Sequence, residues 1–200
     1  VDRQWRALLM AIEQAAMHGQ PGLTGLSVAL TRLIMADGVS KLFLDAQEHV
    51  QAGLGLENLL WSDRKAIGPK GESISSMLTE IDEPLVVHTQ SAAVLSAPWY
   101  RKRMIGAVSQ LGEGRAWGKW KQDRKNHHVV AWAPWPLIWV DNVNHSTAAG
   151  LMLAGGRLKS SEHHDCTALL HAVQTDGHHW IWCSTGNKFS RCLLYTSDAA

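Results

Sequence analysis

Residues 125–142, KNHHVVAWAPWPLIWVDN, determine how the rest of the chain is interpreted. Two apolar runs flank a break formed by Pro134 and Pro136, and each run has the length of a short buried strand. Proline has no backbone N–H to donate, so it interrupts a strand instead of continuing it. The stretch therefore predicts two short strands of a sheet, separated at the prolines.

Helices and strands are predicted to alternate on both sides of this pair. Two amphipathic helices come first, because apolar residues recur at three- and four-residue spacing in residues 2–19 and 23–38. The other predicted elements are strands at 39–47, 83–90, 150–158 and 178–184, and helices at 73–82 and 160–177. This order predicts an α/β fold in which an N-terminal helical hairpin packs on a mixed sheet.

Length and composition narrow the class of protein. The 200 residues are enough for one domain with its own core, and 46% of them are hydrophobic. No apolar run reaches about 18 residues, which argues against a membrane-spanning helix. The three cysteines form no CxxC pair, a usage typical of a reducing compartment, so we expect a cytoplasmic protein. A glycine-rich nucleotide-binding loop and a GxSxG elbow are both missing from the sequence.

Basic residues concentrate in residues 101–125, which carry eight Lys or Arg against two Asp or Glu. Such a block can bind phosphate groups, and tryptophans inside it can stack on nucleic-acid bases. The predicted nucleic-acid contacts are Arg101, Lys102, Arg103, Arg115, Trp117, Lys119, Trp120 and Lys121. Two other interpretations stay open from the sequence: the block is a solvated loop, or its tryptophans pack against the core.

Carboxylates follow two of the predicted strands. Asp45 follows the apolar run 42–44 of the strand predicted at 39–47, Glu48 lies three residues further on, and Asp141 ends the second strand of the proline-separated pair. Carboxylates at neighbouring strand ends hold two Mg²⁺ ions about 4 Å apart in RNase H-like nucleases, so these three are candidate catalytic residues. The same motif, DAQE, also fits a helix capping box with Asp45 at the N-cap.

Eight of the eleven histidines lie between His127 and His179. If residues 160–177 are helical, His164 and His171 share one helix face and could contribute to a metal site. The sequence contains no HExxH motif, so surface or partly buried histidines are the simpler interpretation. A metal-dependent hydrolase built on this His-rich half is an alternative function, and a non-catalytic interaction module is a third.

Four segments within residues 5–125 carry a family resemblance. They are RALLMAIEQAAMHG at 6–19, SKLFLDAQEHVQAGLGLENLLW at 40–61, PLVVHTQSAAVLSAPWY at 84–100 and GRAWGKW at 114–120. In this order they resemble the RNase H-like (PIWI) domain of the prokaryotic PIWI-RE family. Members of that family are Argonaute relatives associated with defence and mobile elements.

The resemblance implies a nucleic-acid-binding domain whose partner is a guide–target duplex, with Mg²⁺ as the cofactor if the domain is a nuclease. The family pattern also places an arginine shortly after the DAQ segment and another in the strand that contains LVVHTQ. This sequence has His49, Val50 and His88 at those places. Whether the domain is an enzyme therefore stays open.

The last nine residues, CLLYTSDAA at 192–200, resemble the translation of a transposase-based sequencing adapter. The sequence begins on Val1 with a helix already under way. We therefore expect residues 1–191 to be a single α/β domain cut from a longer polypeptide at both ends, and residues 192–200 to be an artefact. The His, Trp, Ser and Cys bias of residues 126–191 leaves a reading-frame error in the DNA as an alternative for that half.

Overall fold

The computed structural model describes residues 3–45, 47–50, 70–73, 75–135, 137–142, 144–153 and 155–191. The helices in this part are α1 Arg3–Ala16, α2 Gly19–Phe43, α3 Arg101–Gln110, α4 Asn144–Leu153 and α5 Thr167–Ala172. The strands are β1 Thr79–Glu80, β2 Val86–His88, β3 Ala93–Leu95, β4 Val129–Ala133, β5 Leu137–Val140, β6 Arg157–Lys159, β7 Glu162–Asp165, β8 Val173–Thr175, β9 His179–Trp182 and β10 Lys188–Arg191. The stretch that resembles an adapter, 192–200, lies outside the described residues.

A five-stranded mixed sheet, in the order β1-β7-β4-β5-β3, forms the centre of the fold. The two strands predicted from residues 125–142 are β4 and β5, and they pair antiparallel with Val129 opposite Val140. Strand β3 pairs parallel with β5, and β7 pairs parallel with β4. Helix α3 lies between β3 and β5 in the chain, and α4 lies between β4 and β7, as parallel pairing requires of a crossover connection. The predicted α/β class with a mixed sheet is confirmed.

Helices cover one face of this sheet. Helix α2 packs along the edge strand β3 and buries Met35, Val39 and Leu42, which recur at three- and four-residue spacing. Helices α3 and α4 bring Met104 and Ala148 into the same core cluster. The predicted N-terminal hairpin is confirmed because α1 packs against α2. Helix α1 nevertheless has no buried residue, so its predicted apolar stripe is only partly covered.

Helix α2 is longer than predicted. The spacing of its buried residues continues through Leu42, so Gly38 does not end the helix. The strand predicted at 39–47 is wrong, because α2 continues to Phe43. Asp45 consequently follows a helix and not a strand. By length and composition alone, α2 is also apolar enough to cross a membrane, contrary to the sequence-based expectation. In this fold it packs against α1 and β3.

The opposite face of the sheet carries α5 and a three-stranded antiparallel sheet with the order β10-β9-β8. Trp132 of β4 and Trp182 of β9 belong to one buried cluster there, together with Cys166 and Leu169. Trp139 of β5 is buried in a neighbouring cluster. The apolar runs on both sides of the prolines thus supply buried tryptophans to the core, while Trp135 between them is partly buried.

Other predicted elements differ from the structure. The helix predicted at 160–177 is strand β7, the short helix α5 and strand β8, because β7 pairs with β4 and β1 before α5 begins. The strand predicted at 150–158 is the end of α4 followed by β6, which pairs with β2. The helix predicted at 73–82 is a 3-10 turn at Ser75–Met77 followed by β1. In each case a strand partner distant in sequence decides the outcome, and local spacing does not reveal such a partner.

Candidate functional site

The predicted basic block consists of helix α3 and the loop that follows it. Basic side chains of the predicted set that are exposed are Lys102, Arg103, Arg115, Lys119 and Lys121. Arg101 is partly buried at the start of α3. Lys119 lies 3.5 Å from Glu113 in an ion pair exposed to solvent. Such pairs contribute about 0–1 kcal/mol, so Lys119 can exchange this partner for a phosphate at small cost.

A pocket of about 670 Å³ opens at this loop. Its lining includes four of the predicted contacts, namely Trp117, Lys119, Trp120 and Lys121. The other lining residues are Leu111, Gly118, Asp123, Asn126, His127 and Ser146. The volume is within the usual range for small-ligand sites, about 300–1,000 Å³. The fold therefore brings two tryptophans and two lysines of the basic block to one concave surface.

The two tryptophans of the block have different environments. The Trp117 side chain is 52% exposed, whereas Trp120 is 5% exposed. Trp120 lies between two glycines: a Cβ added to Gly150 would be 2.6 Å from its Cγ, and one added to Gly156 would be 2.5 Å from its Cε3. The predicted stacking role does not fit Trp120, which packs against the core as the alternative interpretation expected. Its indole instead forms a rigid wall of the pocket.

Arg115 is held by the end of helix α3. Its Nη1 donates to the carbonyl oxygens of Val108 and, at 3.0 Å, Leu111. These carbonyls belong to the last turn, where a helix leaves acceptors without intrahelical partners. Arg115 thus closes the C-terminal end of α3, a structural role that the sequence-based assignment to phosphate binding did not include.

His127 is buried and lines the pocket between Asp123 and Ser146. Its Nδ1 lies 2.7 Å from the Asp123 backbone N and 3.0 Å from the Asp123 carbonyl oxygen, and its Nε2 lies 2.8 Å from Ser146 Oγ. The neutral ring carries its proton on one of these two nitrogens. Burial lowers the pKa of His127, which favours this neutral form. The hydrogen bond between His127 and Ser146 joins two residues that line the pocket.

Asp123 is the acidic residue in the pocket lining. Its carboxylate accepts hydrogen bonds from Asn126 Nδ2 at 2.5 Å and from the Lys125 backbone N–H at 3.0 Å. The Asn126 bond, followed by the Lys125 bond, lowers the pKa of Asp123. The carboxylate is thereby used to hold the turn that carries His127.

Asp45, the first of the predicted catalytic carboxylates, is exposed just after helix α2. The prediction that it ends a strand is wrong, because the apolar residues before it continue the helix. The capping-box alternative is also wrong, since residues 47–50 are not helical.

The other two carboxylates are not joined to Asp45. Glu48 lies beside the start of α3, where its backbone carbonyl accepts the Arg101 N–H at 2.9 Å. Asp141 does follow strand β5 as predicted, but its carboxylate lies 3.7 Å from His128 Nδ1. In the described part of the chain, no hydrogen bond or ion pair links any two of the three. No group of three or more His, Cys, Asp or Glu in the described ranges is placed to hold a metal ion, so the three carboxylates do not fit a two-Mg²⁺ site.

Two histidines of the C-terminal half share one carboxylate, that of Glu162. His128 Nε2 lies 3.0 Å from Glu162 Oε1, and His164 Nε2 lies 3.2 Å from Glu162 Oε2. His164 is on strand β7 and His171 is on helix α5, so the prediction that they share a helix face is wrong. Among the described residues, no group of three or more His, Cys, Asp or Glu is placed to hold a metal ion. These residues offer no support for the metal-dependent hydrolase.

Sequence reasoning missed an aromatic cluster at the start of α3. The His49 and Tyr100 rings stack with centroids 4.7 Å apart, and the Trp99 ring lies 5.7 Å from His49. The Arg103 guanidinium lies over Trp99, 5.9 Å from the ring centroid. The signal that could have found the cluster is the run PWYRKR at 98–103, in which aromatic residues precede three cations.

Comparison with known proteins identifies a family. A family model described as a family of unknown function, DUF6710, matches residues 27–199. The matched range contains the pocket and the aromatic cluster, and it extends into the stretch 192–199, whose origin stays a prediction. No curated protein and no solved structure matches the chain significantly. None of this bears on the PIWI-RE resemblance, which also stays a prediction.

Proposed function

The chain belongs to the DUF6710 family, whose function is unknown, and we propose from its own residues that it is a nucleic-acid-binding domain. The observation that carries the proposal is the lining of the pocket, where the exposed ring of Trp117 is joined by the exposed lysines Lys119 and Lys121. Proteins that bind single strands combine cations that follow the backbone with aromatic rings that stack on bases. The pocket supplies both in one concave surface.

Residues in and next to the pocket then have different tasks. Lys119 and Lys121 contact phosphates, and Trp117 stacks on a base. Trp120 is the rigid wall against which the nucleotide rests, because two glycines hold its indole. Arg115 holds the loop against the end of α3 and adds positive charge. Its Nη1 donates to the helix carbonyls and therefore does not donate to the ligand.

The proposal covers binding in the cytoplasm and does not include cleavage. From the resemblance to PIWI-RE proteins we further propose that the chain is the RNase H-like domain of a defence or mobile-element protein, and that its ligand is a guide–target duplex. Asp45, Glu48 and Asp141 do not form the carboxylate set that such a nuclease would use with Mg²⁺. A binding assay that compares the affinities for single strands and for an RNA–DNA duplex shows which of the two is the preferred ligand.

The decisive experiment measures how binding depends on salt. Fluorescence anisotropy with labelled single-stranded DNA, single-stranded RNA and an RNA–DNA duplex gives log K against log[salt] for the wild type. Each phosphate contact to a single strand contributes about 0.7 to the slope. We therefore expect the double variant Lys119→Gln/Lys121→Gln to reduce the magnitude of the single-strand slope by about 1.4.

A matched control removes the same amount of charge elsewhere. The control variant Lys41→Gln/Lys188→Gln also replaces two lysines by glutamine, so it has the same net charge as the test variant. Lys41 on α2 pairs with Asp37, and Lys188 on β10 pairs with Asp176. We expect its slope to equal that of the wild type. If the slope of the control variant falls as much as that of the test variant, the effect is one of net charge. No binding of nucleic acid by the wild type at low salt would overturn the proposal.

A further inference from the structure

We propose that the rings of His49, Trp99 and Tyr100, named here the aromatic platform, stack an unpaired base of a single-stranded nucleic acid. This inference rests on the proposed function and deepens it. It adds a second contact outside the pocket. In this proposal the protein recognises the exposed face of a nucleic-acid base.

The three rings of the platform are close together and nearly parallel. The His49 and Tyr100 planes meet at 4°, and Trp99 is inclined by 19° to His49 and by 23° to Tyr100. The Trp99 side chain is 38% exposed, and His49 is exposed as well. A solvent-exposed group of parallel rings offers a face on which a further flat ring can stack.

The platform is held in place from two sides. On one side, His49 and Tyr100 pair in an antiparallel bridge. On the other, the buried His145 accepts the backbone N–H groups of Trp99 and Tyr100 at its Nε2, at 3.3 and 3.0 Å. Burial, followed by the charge of Arg103, lowers the pKa of His145 to about 4, so Nε2 is unprotonated at neutral pH and able to accept. A surface ordered before binding loses little conformational entropy when a ligand arrives.

Positive charge borders the platform. The Arg103 guanidinium lies over the Trp99 ring, and Lys102 is exposed beside it at the start of α3. The first N–H groups of this ten-residue helix add partial positive charge at the same end. Cations next to a stacking surface complement the phosphates that flank a base, whereas an apolar peptide would leave them without partners. Nucleic acid is therefore the occupant that fits.

The form of the nucleic acid follows from the geometry of stacking. Bases inside a duplex have both faces covered by their neighbours, and exposing one costs a few kcal/mol of unstacking and unpairing. An unpaired base presents its face without that cost. The platform therefore favours single strands over duplexes of the same length.

The test replaces Trp99 by alanine in the full chain. The probe is a labelled single-stranded 15-mer DNA that contains 2-aminopurine, whose fluorescence falls when the base stacks. Loss of one stacking contact predicts an increase in Kd of about 5- to 150-fold and a reduction in 2-aminopurine quenching. The salt slope stays unchanged, because the ring carries no charge. Trp99→Phe keeps a stacking face and retains most of the affinity, and Leu170→Ala, an exposed position on α5, is the matched control with no expected change.

The outcomes separate the platform from the pocket. Wild-type Kd and quenching in a folded Trp99→Ala variant would overturn the platform, while a reduced slope for Lys119→Gln/Lys121→Gln would still support the pocket. Absence of nucleic-acid binding in the wild type would overturn both. If circular dichroism shows that Trp99→Ala does not fold, His49→Ala and His49→Phe replace it: loss with alanine and retention with phenylalanine support stacking, and equal Kd values for both contradict it.

Discussion

Replacing Gly150 by alanine tests how tightly the Trp120 wall of the pocket is packed. Gly150 lies inside α4, and a Cβ added there would be 2.6, 2.7 and 2.8 Å from Cγ, Cδ1 and Cδ2 of Trp120. These ring atoms lie near the root of the side chain and cannot swing away as a flexible end does. The buried indole or the helix backbone therefore has to shift to admit the methyl group.

Two opposing effects set the magnitude for Gly150→Ala. In a helix interior, alanine is more favourable than glycine by about 1 kcal/mol. Adding a methyl group to a filled core costs about 1–3 kcal/mol, and three contacts below 3.0 Å place this position toward the upper end. The expected net result is a fall in the free energy of unfolding of about 1–2 kcal/mol.

Urea denaturation followed by circular dichroism measures this change. With an m value of about 2 kcal/mol/M, the midpoint should fall by about 0.5–1 M at unchanged m. The matched control is Gly38→Ala inside α2, where an added Cβ meets nothing within 4 Å, so its stability should rise by about 0.5–1 kcal/mol. Adding Trp120→Phe to Gly150→Ala should remove part of the cost, because the smaller ring makes room. A Gly150→Ala midpoint at or above that of the wild type would refute the packing argument.

Two further predictions concern the ends of helices α3 and α4. Arg115→Ala should lower the free energy of unfolding by about 1 kcal/mol, because the Val108 and Leu111 carbonyls lose their donor. It should change the salt slope of binding less than loss of Lys119 and Lys121 does. Urea melts check the first effect and the anisotropy titration checks the second, and an unchanged melt contradicts the capping role. For His145, the folded pKa of about 4 lies below the unfolded value of about 6.5. The unfolded state therefore takes up a proton first, and the free energy of unfolding falls by up to about 3 kcal/mol as the pH drops through this window. His145→Gln should remove that part of the pH dependence in urea melts between pH 7 and 4, and identical pH profiles for the variant and the wild type would count against it.

The central strand pair could be predicted because its signal is local. Two apolar runs of strand length meet at prolines, and no helix accommodates that pattern. The end of α2 could not be predicted in the same way. An apolar run such as Leu42–Leu44 has the same local appearance in a buried strand and in the last turn of a helix, and the packing of α2 on β3 decides between them.

The candidate site shows the same division. Charge and aromatic content placed Trp117, Lys119 and Lys121 in one predicted group, and the fold brings them to one pocket. The same composition also selected Trp120 and Arg115, which have structural tasks. Their difference depends on Gly150 and on the carbonyls at the end of α3, and neither is visible in the composition of the block.

By itself the sequence determined the α/β class, the N-terminal hairpin and the basic block, because hydrophobic period and charge are properties of neighbouring residues. Tertiary structure alone decided that His49 lies against Tyr100, that His127 is hydrogen-bonded to Ser146, and that the Asp141 carboxylate lies near His128. Those relations arise from the pairing and packing of segments distant in the chain. The physical reason is that burial and register are settled by the whole core at once, so the role of a side chain follows from the partner that the fold brings to it.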